Sequence, residues 1–298
     1  MTLNELNKLY LRKENYIDSK LKSLDKEVQH LQSKLLEIIM TDMAGKVQTE
    51  GGVIKVNEHN MRLATQVDGL MDKFASSFQR SVLKEFGNDM LRTTEFTMDY
   101  FGGMGYAESK LRSIKKGLGY ISQRIGISDK GRILKGSYLD TLSKNAEVRT
   151  EIKNFILNNV AGQNDYSGYL RGLKELVVGN REVRGSLERY YRQYAYDSFN
   201  QVDATVNKHF ADELNMKYFI YFGSVIQTTR PFCRKRAGKV FSVKETKKWK
   251  SDPDLIGKSK AGYNPLIDRG RYNCRHSIQY IPDEVACKKG KTEACDDS

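Results

Sequence analysis

The chain has 298 residues, 39% of them apolar and 29% charged, with a formal net charge of +13. That length suits one large domain or two modest ones, and the charge balance implies much solvated helix surface or interface. Without a run of roughly 18 apolar residues or an apolar leader segment in "MTLNELNKLYLRKENY", a soluble, unexported chain is expected.

All four prolines (Pro231, Pro253, Pro265 and Pro282) fall in the last 70 residues, which permits long helices before them. Tyr10, Ile17, Leu24, Leu31 and Ile38 recur every seven residues, with Leu21, Val28 and Leu35 between them. This heptad stripe predicts a long amphipathic helix that pairs with another helix, within this chain or in a partner. "TEGGVIKVNEHN" (49–60) reads as a loop or small hairpin around its paired glycines. A second long helix follows, marked by Leu63, Val67, Leu70, Phe74, Phe78, Val82, Phe86 and Met90, and "YFGGMGYAES" interrupts it.

Shorter helices are expected to about residue 180, with Ser167 and Asn180 as N-caps. A further long helix is expected over 181–214, its aromatic face forming core. Then the pattern changes. "KYFIYFGSVI" (217–226), "GKVFSV" (238–243) and "CRHSIQYI" (274–281) read as strands, the first two joined as a hairpin, with 251–269 a loop. The fold class expected is α+β: a mostly helical body of long helices over 1–180, a small C-terminal α+β module with a few antiparallel strands over 181–282, and a flexible tail over 283–298.

Charge follows the same division. Residues 217–282 carry 15 Lys+Arg against 4 Asp+Glu, a density that favours an anionic neighbour. Arg234, Lys235, Arg236, Lys244, Lys247, Lys248 and Lys250 are expected to be exposed and able to contact DNA phosphates without reading sequence.

Cys233, Cys274, Cys287 and Cys295 are too few for a disulfide scaffold, so reduced thiols are expected. The elements "TTRPFC", "GKVF" and "NCRH" bring two of these cysteines together with a histidine. In order, Thr229, Arg230, Pro231 and Cys233, then Gly238, Lys239 and Phe241, then Asn273, Cys274, Arg275 and His276 resemble the C-terminal module of tailed-bacteriophage minor head proteins, the Mu F-like head morphogenesis family. The resemblance covers about 185–282. It departs from the family's commonest pattern in exchanging the first His and the last Cys, here Cys233 and His276. It implies a non-enzymatic virion protein, located at the portal vertex or in the capsid interior after assembly in the host cytoplasm. The implied partners are portal and other capsid proteins, with double-stranded DNA as a further partner and no membrane.

The residues themselves leave several readings of Cys233, Cys274 and His276 open. They are small buried side chains with a hydrogen-bonded histidine, or ligands of a structural zinc with a fourth from Asp268, His209 or water, or a disulfide or catalytic thiol. If 274 and 276 lie on a strand they share a face, which suits a metal. Arg230 and Arg275 are expected to pair with Asp268, pinning the hairpin to the closing strand. No carboxylate cluster, His-x-x-Glu-His run or phosphate loop argues for an enzyme. A non-sequence-specific DNA-binding protein, or a nuclease related to toxin modules, is the alternative. Homo-oligomerisation stays open, because a heptad stripe pairs equally within or between chains.

Overall fold

In the computed structural model, which describes residues 2–128, 130, 132–257, 261–271 and 273–295, the elements follow the sequence's punctuation. The helices are α1 (Leu3–Asp42), α2 (Glu58–Phe74), α3 (Arg80–Gly103), α4 (Glu108–Lys116), α5 (Gly119–Ile125) and α6 (Tyr138–Lys144). They continue with α7 (Ala146–Ala161), α8 (Tyr166–Val178), α9 (Ser186–Glu213), α10 (Pro231–Arg234), α11 (Pro265–Asp268) and α12 (Asp283–Lys288). The strands are β1 (Thr49–Glu50), β2 (Val53–Ile54), β3 (Tyr218–Phe222), β4 (Val240–Ser242) and β5 (Ser277–Ile281). Long helices with a small antiparallel sheet near the C-terminus make this an α+β fold.

The chain divides into two interleaved units rather than at one point near residue 180. One comprises 1–18, 90–121 and 196–298, the other 19–89 and 122–195. The boundaries fall inside α1, α3, α5 and α9.

The second unit is helix packed on helix. Its core is largely aliphatic: Leu24, Val28, Leu31, Leu35 and Ile39 from α1, Val67 and Leu70 from α2, Ile152, Ile156 and Val160 from α7, and Leu173 and Val177 from α8 are all buried. Burying each such side chain contributes about 1.5–3 kcal/mol. The stripe on α1 is buried within this chain and ends on Ile39, not Ile38. A straight helix has 3.6 residues per turn, so a strict seven-residue repeat drifts off the buried face.

A π-helical turn at Ala75–Gln79 joins α2 to α3. The extra residue moves the inward face from Phe74 to Gln79, Leu83, Phe86 and Met90, which leaves the expected Phe78 exposed and Val82 only half-buried. Gln79 is then satisfied by the side chains of Asn145 and Tyr191. The β1–β2 hairpin turns on Gly51 and Gly52, at φ +58° and +82°, a conformation that glycine adopts without a Cβ penalty.

The two expected N-caps differ in detail. Asp165 caps α8 by accepting the Gly168 amide, and Ser167 inside the helix donates to it. Asn180 accepts the amides of Glu182 and Val183 in a turn, so α9 starts at Ser186 instead of 181.

In the first unit, the sheet has strand order β4–β3–β5, all antiparallel. Alternation along β3 sends Tyr218 and Ile220 to one face, where they pack with Ile281, Ala286 and Ala294. Phe219 and Tyr221 face the other way, onto the sole tryptophan, Trp249. The expected flexible tail is instead ordered from Asp283 to Cys295. Ala286 and Ala294 bury completely, and a disulfide joins Cys287 to Cys295 in place of the expected free thiols. Residues 296–298 of that tail, like 258–260 of the expected loop, lie outside the described residues.

Edge strand β5 is covered by side chains from helices. The Tyr10 hydroxyl and the Asn207 amide both donate to the Ile278 carbonyl, at 3.0 and 2.6 Å, and the Tyr100 hydroxyl donates to the Tyr280 carbonyl. Partners for these outward carbonyls remove an open edge at which another chain could pair.

Candidate functional site: a buried cysteine–histidine centre

β3 turns at Gly223 into a loop that leads to α10, where Pro231 occupies the first turn with its φ preset for helix and no amide to satisfy. This single turn buries Phe232 and Cys233. Gly238, at φ +75°, returns the chain into β4, its amide bonded to the Tyr221 carbonyl. The other half of the centre comes from 269–276, immediately before β5. Cys274 and His276 therefore lie ahead of the strand, and the strand alternation expected to align them does not apply.

Cys233 and Cys274 are 3% and 5% exposed and His276 is 5% exposed. The sulfurs stand 3.7 Å apart, and the Tyr221 hydroxyl lies 3.3 Å from Cys233 Sγ and 3.7 Å from Cys274 Sγ. One donor atom from each of Cys233, Cys274 and His276 lies within 4.8 Å of the other two. The Tyr221 and His276 rings stack, with centroids 5.2 Å apart. His276 Nε2 is enclosed without a hydrogen-bond partner.

Two glycines leave the room this requires. A Cβ at Gly270 would fall 2.4 Å from Cys233 Sγ and 3.1 Å from Cys274 Sγ, and one at Gly223 would fall 2.8 Å from the His276 ring. Around Gly270 the chain takes an unusual path: Arg269, Arg271 and Asn273 all have positive φ, at 50°, 67° and 56°. Each such residue costs about 1–2 kcal/mol. Specific bonds hold the loop. Tyr263 donates its hydroxyl to the Arg269 carbonyl, Arg271 donates to the Ile256 carbonyl, and the Asn273 amide donates to Asp197 Oδ1.

The two thiols behave as a pair. The hydrogen bond from Cys233, then the His276 ring and the Arg269 charge, hold the Cys274 thiol below its ordinary range against the effect of burial. The same bond to Cys274, with burial, pushes Cys233 up, so of the two thiols Cys233 is the harder to deprotonate. Desolvation raises the nearby Asp197 carboxyl, partly offset by the Asn273 amide and by Arg269 and Arg230.

Several expected roles change. Asp268 does not pin the hairpin: its carboxylate accepts the amide of Asn264 at 2.6 Å, inside its own turn. Arg230 reaches across to the Gly270 carbonyl at 3.0 Å, so the pin is a guanidinium-to-backbone bond. Arg275 is exposed. Thr229 accepts the Ile226 amide and closes the loop before α10. Neither Asp268 nor His209 joins the cysteine–histidine cluster among the described residues, and His209 packs instead over Gly117.

Arg236 was expected in the exposed basic set, yet it is 7% exposed. Its guanidinium lies 3.7 Å from the Phe232 ring centroid and 4.6 Å from that of Trp249, and it pairs with Asp252 at 2.6 Å. It braces the aromatic wall behind the centre through cation–π and ionic contacts. Lys235 pairs with Asp254, and Arg234 donates to the carbonyls of Ile226, Gln227 and Thr229. Lys244, Lys247, Lys248 and Lys250 are exposed, on and beside a 3₁₀ segment (Lys244–Ser251) that Trp249 anchors.

Comparison with family profiles, with curated proteins and with solved structures returns no match.

Proposed function

We propose that the chain is a non-enzymatic virion protein: a minor head protein of a tailed phage that associates with the portal vertex and other capsid proteins during assembly. The observation that carries this reading is convergence. Three short motif elements spread over residues 228–276 supply adjacent parts of one buried centre. Cys233 comes from the first, the Gly238 turn that positions β4 from the second, and Cys274 with His276 from the third. A constellation enclosed by Tyr221, Gly270 and Gly223 suits a structural role, because a nucleophile needs access to substrate.

The side chains of Lys244, Lys247, Lys248 and Lys250 show no hydrogen bond or ion pair among the described residues, and they supply the contact to packaged DNA. Each phosphate they neutralise adds about 0.9 to the steepness of the salt dependence of binding.

The reading is tested by quantitative mass spectrometry of purified particles together with capture by portal oligomers. It predicts incorporation far below the major capsid protein and capture that persists as salt is raised. Absence from particles, with only salt-sensitive binding to any duplex, would replace it with a general DNA-binding protein.

A further inference from the structure

We propose that Cys233, Cys274 and His276 form a binding site for a soft divalent cation, with Zn²⁺ the ion that fits. Two sulfurs each about 2.3 Å from one tetrahedral zinc lie about 3.8 Å apart. Here they stand 3.7 Å apart, with a histidine donor atom within 4.8 Å of both. A disulfide would require about 2.05 Å.

The surroundings favour an ion over an empty apolar pocket. His276 Nε2 is buried and unpartnered, a state that costs about 1–3 kcal/mol for a polar atom with nothing to bond. Gly270 and Gly223 keep side-chain carbon off the sulfurs and the ring, and Arg269, Arg271 and Asn273 accept positive φ in the approach to Cys274. Two thiolates and a neutral imidazole cancel the charge of a divalent cation, so the filled site is neutral and tolerates burial. The Tyr221 oxygen lies within 3.7 Å of both sulfurs, and it or a water would complete four-coordination. The site would join α10 to the segment before β5, crosslinking residues 41 positions apart beside a sheet of only three strands.

The test uses the full chain, dialysed against chelator and titrated with Co²⁺ and then Zn²⁺. The expected result is uptake of a single Co²⁺ with sulfur-to-cobalt charge-transfer absorption, its displacement by Zn²⁺, and a rise in Tm on metal addition. Cys233→Ser and Cys274→Ser should lose charge-transfer intensity, and His276→Gln should weaken binding by more than an order of magnitude. Because these variants could unfold, the double variant Cys287→Ser/Cys295→Ser serves as the independent check and should keep the full spectrum. The proposal is overturned if folded wild-type chain takes up no Co²⁺ or binds it without thiolate absorption. Loss of the spectrum in the Cys287/Cys295 variant, or a Cys233–Cys274 disulfide in the protein as isolated, would overturn it equally.

Discussion

The two units hold themselves together by different means. The helical unit buries Leu35, Ile39, Ile152, Ile156, Val160 and Leu173, apolar side chains that any residue of similar volume satisfies approximately. The unit with the sheet buries Tyr10, Tyr100, Tyr221, Tyr280, Trp249, Arg236, Lys13, His276 and two thiols. Several of these polar groups are held by a particular partner, as Lys13 is by Asp203 at 3.1 Å and Arg236 by Asp252. Non-directional burial supplies stability; directional burial costs more when broken and so defines one arrangement.

The sharpest way to break that comparison is at Arg236. Arg236→Ala removes the cation between Phe232 and Trp249 and breaks its ion pair with Asp252, so a loss of about 3–5 kcal/mol is expected in denaturant unfolding. Arg236→Lys should not restore it, because an ammonium cannot stack and fork at once. A loss below about 1 kcal/mol would mean that the aromatic wall stands without its brace.

Glu14 provides a pH test within the same unit. The residue is only half-buried, but its Oε1 is fully enclosed and unpartnered, and desolvation together with the Asp203 charge raises its pKa to about 7. A carboxyl with a raised folded pKa holds its proton longer in the native state. Its contribution is therefore complete below the unfolded value of about 4.5 and is lost as pH climbs toward 7. The full span is worth at most about 3 kcal/mol. In paired pH series of unfolding, Glu14→Gln should gain on wild type between those two pH values; parallel curves would show that Glu14 is solvated.

Two glycine substitutions should then move in opposite directions. Gly69 lies in α2 with nothing within 4 Å of an added Cβ, so Gly69→Ala should stabilise by about 1 kcal/mol. Gly270→Ala drives a methyl into Cys233 Sγ and should destabilise by about 1–3 kcal/mol and abolish metal uptake. Thermal unfolding of both, with cobalt titration of the second, checks the pair. An equally small loss, about 1 kcal/mol, is expected of Ile152→Val in the aliphatic core.

What could be read in advance divides along the same line. The long helices, the hairpin at Gly51–Gly52 and the three C-terminal strands were legible, because periodicity, proline placement and turn residues act locally. So was the grouping of Cys233, Cys274 and His276, since its elements are short and chemically unusual. Arg236 was not legible: within "RKR" nothing local distinguishes it from Arg234 and Lys235, and what buries it is Trp249 and Asp252, delivered by a different segment. Tyr221 and Gly270 were missed for the same reason, although a glycine four residues before Cys274 could have signalled a close approach. The register change at Gln79 came from a π-turn with no marker in "ASSFQ". The unit boundaries inside α1, α3, α5 and α9 depend on tertiary contacts that composition does not carry. The Cys287–Cys295 bridge spans eight positions in a segment that reads as polar tail, and burial of Ala286 and Ala294 is what orders it.

X-ray absorption at the zinc edge of the purified full chain addresses the centre most directly. A shell of two sulfurs at about 2.3 Å with one nitrogen near 2.0–2.1 Å is the result expected of Cys233, Cys274 and His276. A protein that folds with no bound metal, or with zinc held only by oxygen and nitrogen, would contradict it.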